Sequence, residues 1–263
     1  MASLSVLFAY GAGARVGGPQ QQAIQSHLQP ATLDVLGWGE LDPAIDPPPG
    51  FEGYMRDRFG LMAPAPAVNE LPVTFDPGAF VWDLVPADWR RNALRLLYGS
   101  VADSWATVAD AVYYLHNGGH VRDLVTPRIA DWGTRHEGTT RVAIGVSLGG
   151  LILVDALSGM GALAKHAVDL LVTVGSQAGI IFLADGLTTL RRSGPSPDPF
   201  TPWLNLWNPD DFMSWPTHGA IERPGIVDRT VHAPDLSFPE THNAYFDLDE
   251  TYKHIRTALA TLP

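Results

Sequence analysis

The chain runs to 263 residues, with 17 basic against 28 acidic side chains, a net charge of −11, and no cysteine. An acidic chain without any Lys/Arg run repels phosphate backbones and anionic headgroups, which argues against nucleic-acid partners. The lack of cysteine excludes disulfides, a thiolate nucleophile and Cys-ligated zinc, while an apolar fraction of 46% suffices for the core of one large α/β domain.

In chain order, the first predicted element is a strand from Ser5 to Tyr10. No positive charge precedes this apolar run and a Gly-rich turn follows it, so it reads as a strand and not as a secretory signal; a cytoplasmic protein is expected. A helix is predicted from Pro19 to Leu28 and a second strand from Thr32 to Gly37. Residues Glu40 to Arg90 then hold nine prolines and several aromatics without clean periodicity, and read as a packed, cap-like insertion. Helical patterns follow from Ala93 to His116 and from Val121 to Arg135. Beyond them come a strand from Arg141 to Val146, a helix from Leu148 to Leu157, a strand from Leu170 to Gly175 and a helix from Ile180 to Arg192. The Pro-rich stretch Ser193 to Pro202 leads to strands from Trp203 to Trp207 and Ile226 to His232, and a last helix from Asp249 to Leu262. No stretch approaches eighteen uninterrupted apolar residues, so no integral membrane span is expected. Strands apolar on both faces that alternate with helices predict a single α/β domain over residues 1–263, with a doubly wound, mainly parallel sheet.

Chemistry concentrates at Gly145-Val146-Ser147-Leu148-Gly149. A G-x-S-x-G string alone is a weak signal. Here an apolar strand runs into it and an apolar helix runs out of it, the strand-turn-helix setting of a nucleophile elbow. A serine at such a turn projects its hydroxyl above the C-terminal edge of the sheet, at the positive end of a helix dipole. It needs a base oriented by a carboxylate. Both residue types follow, each after a later strand: Asp210 and Asp211 after the fifth, and His242 after the sixth, in a loop ahead of the last helix. His218 and His232 are rivals for the base. The Leu148 amide, next to the serine, is a candidate oxyanion donor.

These segments resemble the α/β-hydrolase superfamily, more particularly its bacterial lipases and esterases, over Ser5 to Leu262. GVSLGG is similar to the G-H-S-L-G-G of lipases, LLVTVGSQAG to their T-x-G-S-P strand, WLNLWNPDDFMS to their W-x-N-x-x-D-P-x-D-P-V-A acid loop, and THNAYF to their S-H-x-x-Y loop. The resemblance implies Ser147 as nucleophile, His242 as general base and then acid, and Asp211, rather than its neighbour Asp210, as orienting carboxylate. Tyr10-Gly11-Ala12-Gly13 looks like the family's H-G-x-G, implying Ala12 as the second oxyanion donor with Gly11 permitting the turn. It further implies cleavage of carboxylic esters through an acyl-enzyme, with a small-molecule ester or acyl substrate and no cofactor; separately, no H-E-x-x-H cluster offers metal ligands at helical spacing, so no metal is expected. Tyr10 and Val146 stand where the family has histidines, and these departures support a second reading as a catalytically weak or inactive ligand- or partner-binding protein. The same Gly-rich loop, with Asp34 on the second strand, imitates a dinucleotide-binding fingerprint. Its third glycine, Gly17, falls one place beyond the required position.

Overall fold

A computed structural model describes residues 3–11, 18–38, 105–183, 186–190, 202–211, 213–221, 223–233, 236 and 240–262. The cap-like insertion and the first part of the helix predicted from Ala93 lie outside them. Among the described residues, six strands form one parallel sheet in the order β2-β1-β3-β4-β5-β6: β1 Leu4–Ala9, β2 Thr32–Leu36, β3 Thr140–Val146, β4 Leu170–Val174, β5 Trp203–Trp207 and β6 Ile226–Thr230. The described helices are α1 Pro19–Leu28, α2 Trp105–Arg135, α3 Leu148–Met160, α4 Ala164–Ala167, α5 Ala178–Leu183, α6 Glu240–Asn243 and α7 Asp249–Leu259.

Because successive strand residues face opposite sides, the sheet divides its apolar side chains between two cores. Leu7, Ala143, Leu171 and Trp203 pack on one side with Val125, Ile129 and Trp132 of α2 and with α3. Phe8, Ile144, Val172 and Leu206 pack on the other with Ile24 of α1 and with Tyr252 and Ile255 of α7. Both faces are covered, as a doubly wound parallel sheet requires. The stretch Leu148–Ala167 is apolar and long enough to cross a membrane by composition, yet most of it is buried, and α3 is buried continuously from Leu148 to Ser158 between sheet and α2. Its hydrophobicity serves the core.

The patterns ending at His116 and starting at Val121 are continuous in space as α2, with a kink at Asn117 (φ −120°, ψ 19°) that divides its two helical segments. Two expectations need correction. The helix expected to reach Arg192 ends at Leu183, because the amides of Thr188 and Thr189 donate instead to the buried carboxylate of Asp155 at 3.1 and 2.9 Å. The sixth strand is not apolar on both faces: it is an edge strand with only Ile226 buried, and Val227 and Arg229 face solvent.

The register places the candidate site. Ala9 pairs with Gly145, Val146 with Val174, Val174 with Leu206, and Trp207 with Thr230, so the exits of five strands share one rim. The chain leaves β1 toward β2 and returns as β3 on β1's other side. That reversal makes the β1 and β3 exits the topological switch point, where open α/β sheets bind ligands.

Candidate active site

Ser147 follows β3 with φ +51° and ψ −123°, a conformation costing a non-glycine residue roughly 1–3 kcal/mol. The surroundings hold it there. Its amide donates to the Val174 carbonyl at 2.9 Å, and its own carbonyl accepts from Gly150 at 3.0 Å as α3 begins. The neighbouring glycines are required by close approach: a methyl on Gly145 would lie 2.6 Å from the Gly150 Cα, and one on Gly149 would collide with the Tyr10 carbonyl. Strand, turn and helix are thereby locked together, and the Ser147 hydroxyl stands at the N-terminus of α3.

Across the rim, the acid loop is pinned by a buried polar chain. The Trp203 indole donates to the Thr173 hydroxyl, which donates to Asn205 Oδ1, both at 2.8 Å. Asn205 Nδ2 donates to the Trp215 carbonyl and to Asp228 Oδ1, both at 2.9 Å. The tryptophan and asparagine of WLNLW thus position the loop after β5. A turn closed by Ser214, whose hydroxyl donates to the Asn208 carbonyl at 3.0 Å, directs the Asp211 side chain inward. Its carboxylate is fully buried and accepts three hydrogen bonds: His242 Nδ1 at 2.8 Å and the Tyr245 hydroxyl at 2.9 Å on Oδ2, and the Met213 amide at 3.0 Å on Oδ1. Burial first, then the Asp211 charge, pushes the Tyr245 hydroxyl far above its ordinary value near 10.0, so it stays a neutral donor. Since Nδ1 donates to Asp211, Nε2 of a neutral His242 is the acceptor.

His242 lies on α6, one helical turn, and not in the irregular loop expected; a 3₁₀ turn, Ala244–Asp247, follows and carries Tyr245 back toward Asp211. The imidazole rests against the β4 exit. Gly175 has φ +60°, and a methyl there would come 3.3 Å from His242 Cε1 and 3.0 Å from Tyr245 Cε2. Ser147 and His242 thus meet adjacent residues at the β4 exit, Val174 through the serine amide and Gly175 through the ring. Both are partly accessible while Asp211 is not. Gln177, two residues beyond Gly175, donates from Nε2 to Ser147 Oγ at 3.3 Å.

Of the proposed oxyanion groups, Leu148 opens α3, where first-turn amides have no carbonyl within the helix to bond. Gly11 abuts the serine: a methyl there would lie 3.1 Å from Ser147 Cβ and 3.8 Å from Oγ. Ala12 lies outside the described residues. The rivals are elsewhere. Asp210 is exposed, with its amide donating to Asn208 Oδ1. His218 is exposed and donates its amide to Asp228, and His232 is exposed beside Glu250. Asp34 accepts from the Trp132 indole at 3.0 Å and faces His136, a role in holding α2 to the sheet.

Sequence reasoning assigned no role to Gly175, Gln177 or Tyr245. The tyrosine three places after His242 was visible as a motif, but its bond to Asp211 was not. Nothing in the sequence marks Gln177 as a neighbour of Ser147.

No family model matches the chain, and neither does any curated protein. Among solved structures, dienelactone hydrolase from Anabaena variabilis is 18% identical, with 96% of this chain and 87% of that one covered at a TM-score of 0.41. The NocB thioesterase domain of the nocardicin cluster is 15% identical, covering 98% and 94% at a TM-score of 0.40. Its covalent complex with a fluorophosphonate nocardicin G analog is 16% identical, covering 98% and 95% at 0.44.

Proposed function

We propose that this chain, built on the α/β-hydrolase fold, is a serine hydrolase of the esterase or lipase type that cleaves a small-molecule carboxylic ester through an acyl-enzyme. The observation that carries the reading is the His242–Asp211 hydrogen bond of 2.8 Å, formed on the rim where Ser147 is held in a strained elbow. A serine hydroxyl is a weak nucleophile without a base. In the proposed cycle, Ser147 Oγ attacks the ester carbonyl carbon as His242 Nε2 takes its proton. Asp211 keeps Nδ1–H donating and balances the imidazolium charge. The tetrahedral oxyanion is held by the Leu148 amide and by the β1 exit at Gly11 and Ala12, aided by the dipole of α3; one such donor is worth about 10²–10³ in kcat. The imidazolium then protonates the leaving alcohol. Water attacks the acyl-enzyme with His242 again as base, releasing the acid. The graded exposure suits these roles, with an accessible nucleophile and base and a dry carboxylate.

The test is covalent labelling by a fluorophosphonate probe. Wild-type protein is expected to be labelled and to hydrolyse p-nitrophenyl esters, with both properties lost in Ser147→Ala at unchanged thermal stability. Folded wild-type protein that neither labels nor hydrolyses any member of an acyl-length series refutes the proposal.

A further inference from the structure

We infer that Gln177 is a catalytic residue acting on the leaving side of the serine: its side-chain amide stabilises Ser147 Oγ as that oxygen is expelled in deacylation. The inference rests on the acyl-enzyme reading above. Gln177 sits immediately before α5 and reaches back under the β4 exit, with Nε2 3.3 Å from Ser147 Oγ and 3.5 Å from the Gly175 carbonyl oxygen. The second contact orients the group. A backbone carbonyl only accepts, so the amide turns its nitrogen toward Gly175 and, with it, toward Ser147. Oγ accepts a hydrogen bond from Gln177, and in the proposed cycle its proton passes to His242. In the motif T-x-G-S-P that LLVTVGSQAG resembles, Gln177 stands at the place of the proline, a residue with no donor to offer. The contact is therefore a property of this chain.

The consequence differs between the two half-reactions. In the resting enzyme Oγ belongs to a hydroxyl, a good acceptor, so the bond from Gln177 already exists before acylation and little is gained on approaching the transition state. In the acyl-enzyme Oγ is an ester oxygen whose lone pair is delocalised into the carbonyl, and it accepts poorly. During deacylation a water oxygen bonds to the acyl carbon and passes a proton to His242 Nε2. The carbon–Oγ bond then breaks, its electron pair goes to Oγ, and His242 returns the proton to that atom. Charge therefore develops on Oγ as the acid leaves, and the Gln177 N–H, which surrenders no proton, strengthens its bond at that moment. A neutral hydrogen bond made mainly in one transition state changes that step by about tenfold.

The experiment is stopped-flow hydrolysis of p-nitrophenyl acetate by the full chain, separating the acylation burst from steady-state deacylation, for wild type, Gln177→Met and Gln177→Glu. Gln177 is only partly buried, and both replacements keep the length of the chain. Gln177→Met is expected to slow deacylation about tenfold with acylation changed less than about threefold, so that kcat and KM fall together and acyl-enzyme accumulates. Gln177→Glu replaces the donor by an acceptor and is expected to slow deacylation more. If a variant fails to fold, the other decides. Equal slowing of both steps, slowing of acylation alone, or no change in deacylation overturns the inference while leaving Ser147 as the nucleophile. A wild type without an acyl-enzyme burst or Ser147-dependent labelling overturns the underlying reading and this inference with it.

Discussion

Replacing Asp211 by asparagine preserves volume and removes only a charge and one acceptor. The three hydrogen bonds to this side chain make the consequence calculable in sense and size. Met213 offers a backbone N–H to Oδ1 that cannot turn away, so the asparagine carbonyl must face it and the amide nitrogen must take the Oδ2 position. There it meets two former donors, His242 Nδ1 and the Tyr245 hydroxyl. The imidazole can avoid a donor–donor clash only by shifting its proton to Nε2, the nitrogen needed to receive the Ser147 proton. The tyrosine hydroxyl loses a charged acceptor in a buried site. The wrong tautomer is expected to lower kcat about 10⁴-fold, roughly 5.5 kcal/mol of transition-state stabilisation. The lost charged hydrogen bond is expected to cost about 1.5–3 kcal/mol of stability. The assay is steady-state p-nitrophenyl ester hydrolysis with urea unfolding in parallel, and the control is Asp210→Asn. Asp210 is exposed and only its amide is bonded to Asn208, so its replacement is expected to change activity less than about threefold. An Asp211→Asn enzyme within tenfold of wild type, or an Asp210→Asn enzyme as crippled, would refute the reasoning.

Gly175→Ala places a methyl at φ +60°, costing roughly 1–2 kcal/mol, and presses it on His242 and Tyr245; calorimetry and kcat are both expected to fall, and unimpaired kcat contradicts the packing argument. Asp155→Ala strands the amides of Thr188 and Thr189, which cannot turn away, at about 1–3 kcal/mol each. An unfolding free energy, read from urea titration, lowered by about 2–6 kcal/mol in total is therefore expected, with activity per folded molecule retained. The amide of His232, donating at 2.9 Å, holds the Glu250 carboxyl below its ordinary value of 4.5, burial opposing and the charges of His232 and His254 assisting. A depressed folded pKa means stabilisation that is present above pH 4.5 and lost as pH falls through the lowered folded value. The melting-temperature gap between wild type and Glu250→Gln is thus expected to be small, given the exposure, and to close as pH falls through the lowered folded value; a gap that widens in acid contradicts the sign.

What could be read along the chain was whatever depends on near neighbours. Period and apolarity locate β1, β3, β4 and β5 within a residue or so, and the glycines around Ser147 announce an elbow, because strand, turn and helix there are contiguous. The edge strand β6 was misjudged because burial on both faces depends on which strands flank it, a matter of sheet order. The helix expected to reach Arg192 was overextended because the chain beyond it is held at Thr188 and Thr189 by Asp155, more than thirty residues earlier than either. Asp210 and Asp211 are equivalent to any local argument, and only the turn closed by Ser214 sends one inward to His242 and leaves the other in water. The approach of Gln177 to Ser147 and of His242 to Gly175 left no trace in the sequence. These contacts arise where parallel strands distant along the chain end on one rim, and that convergence is a product of tertiary packing.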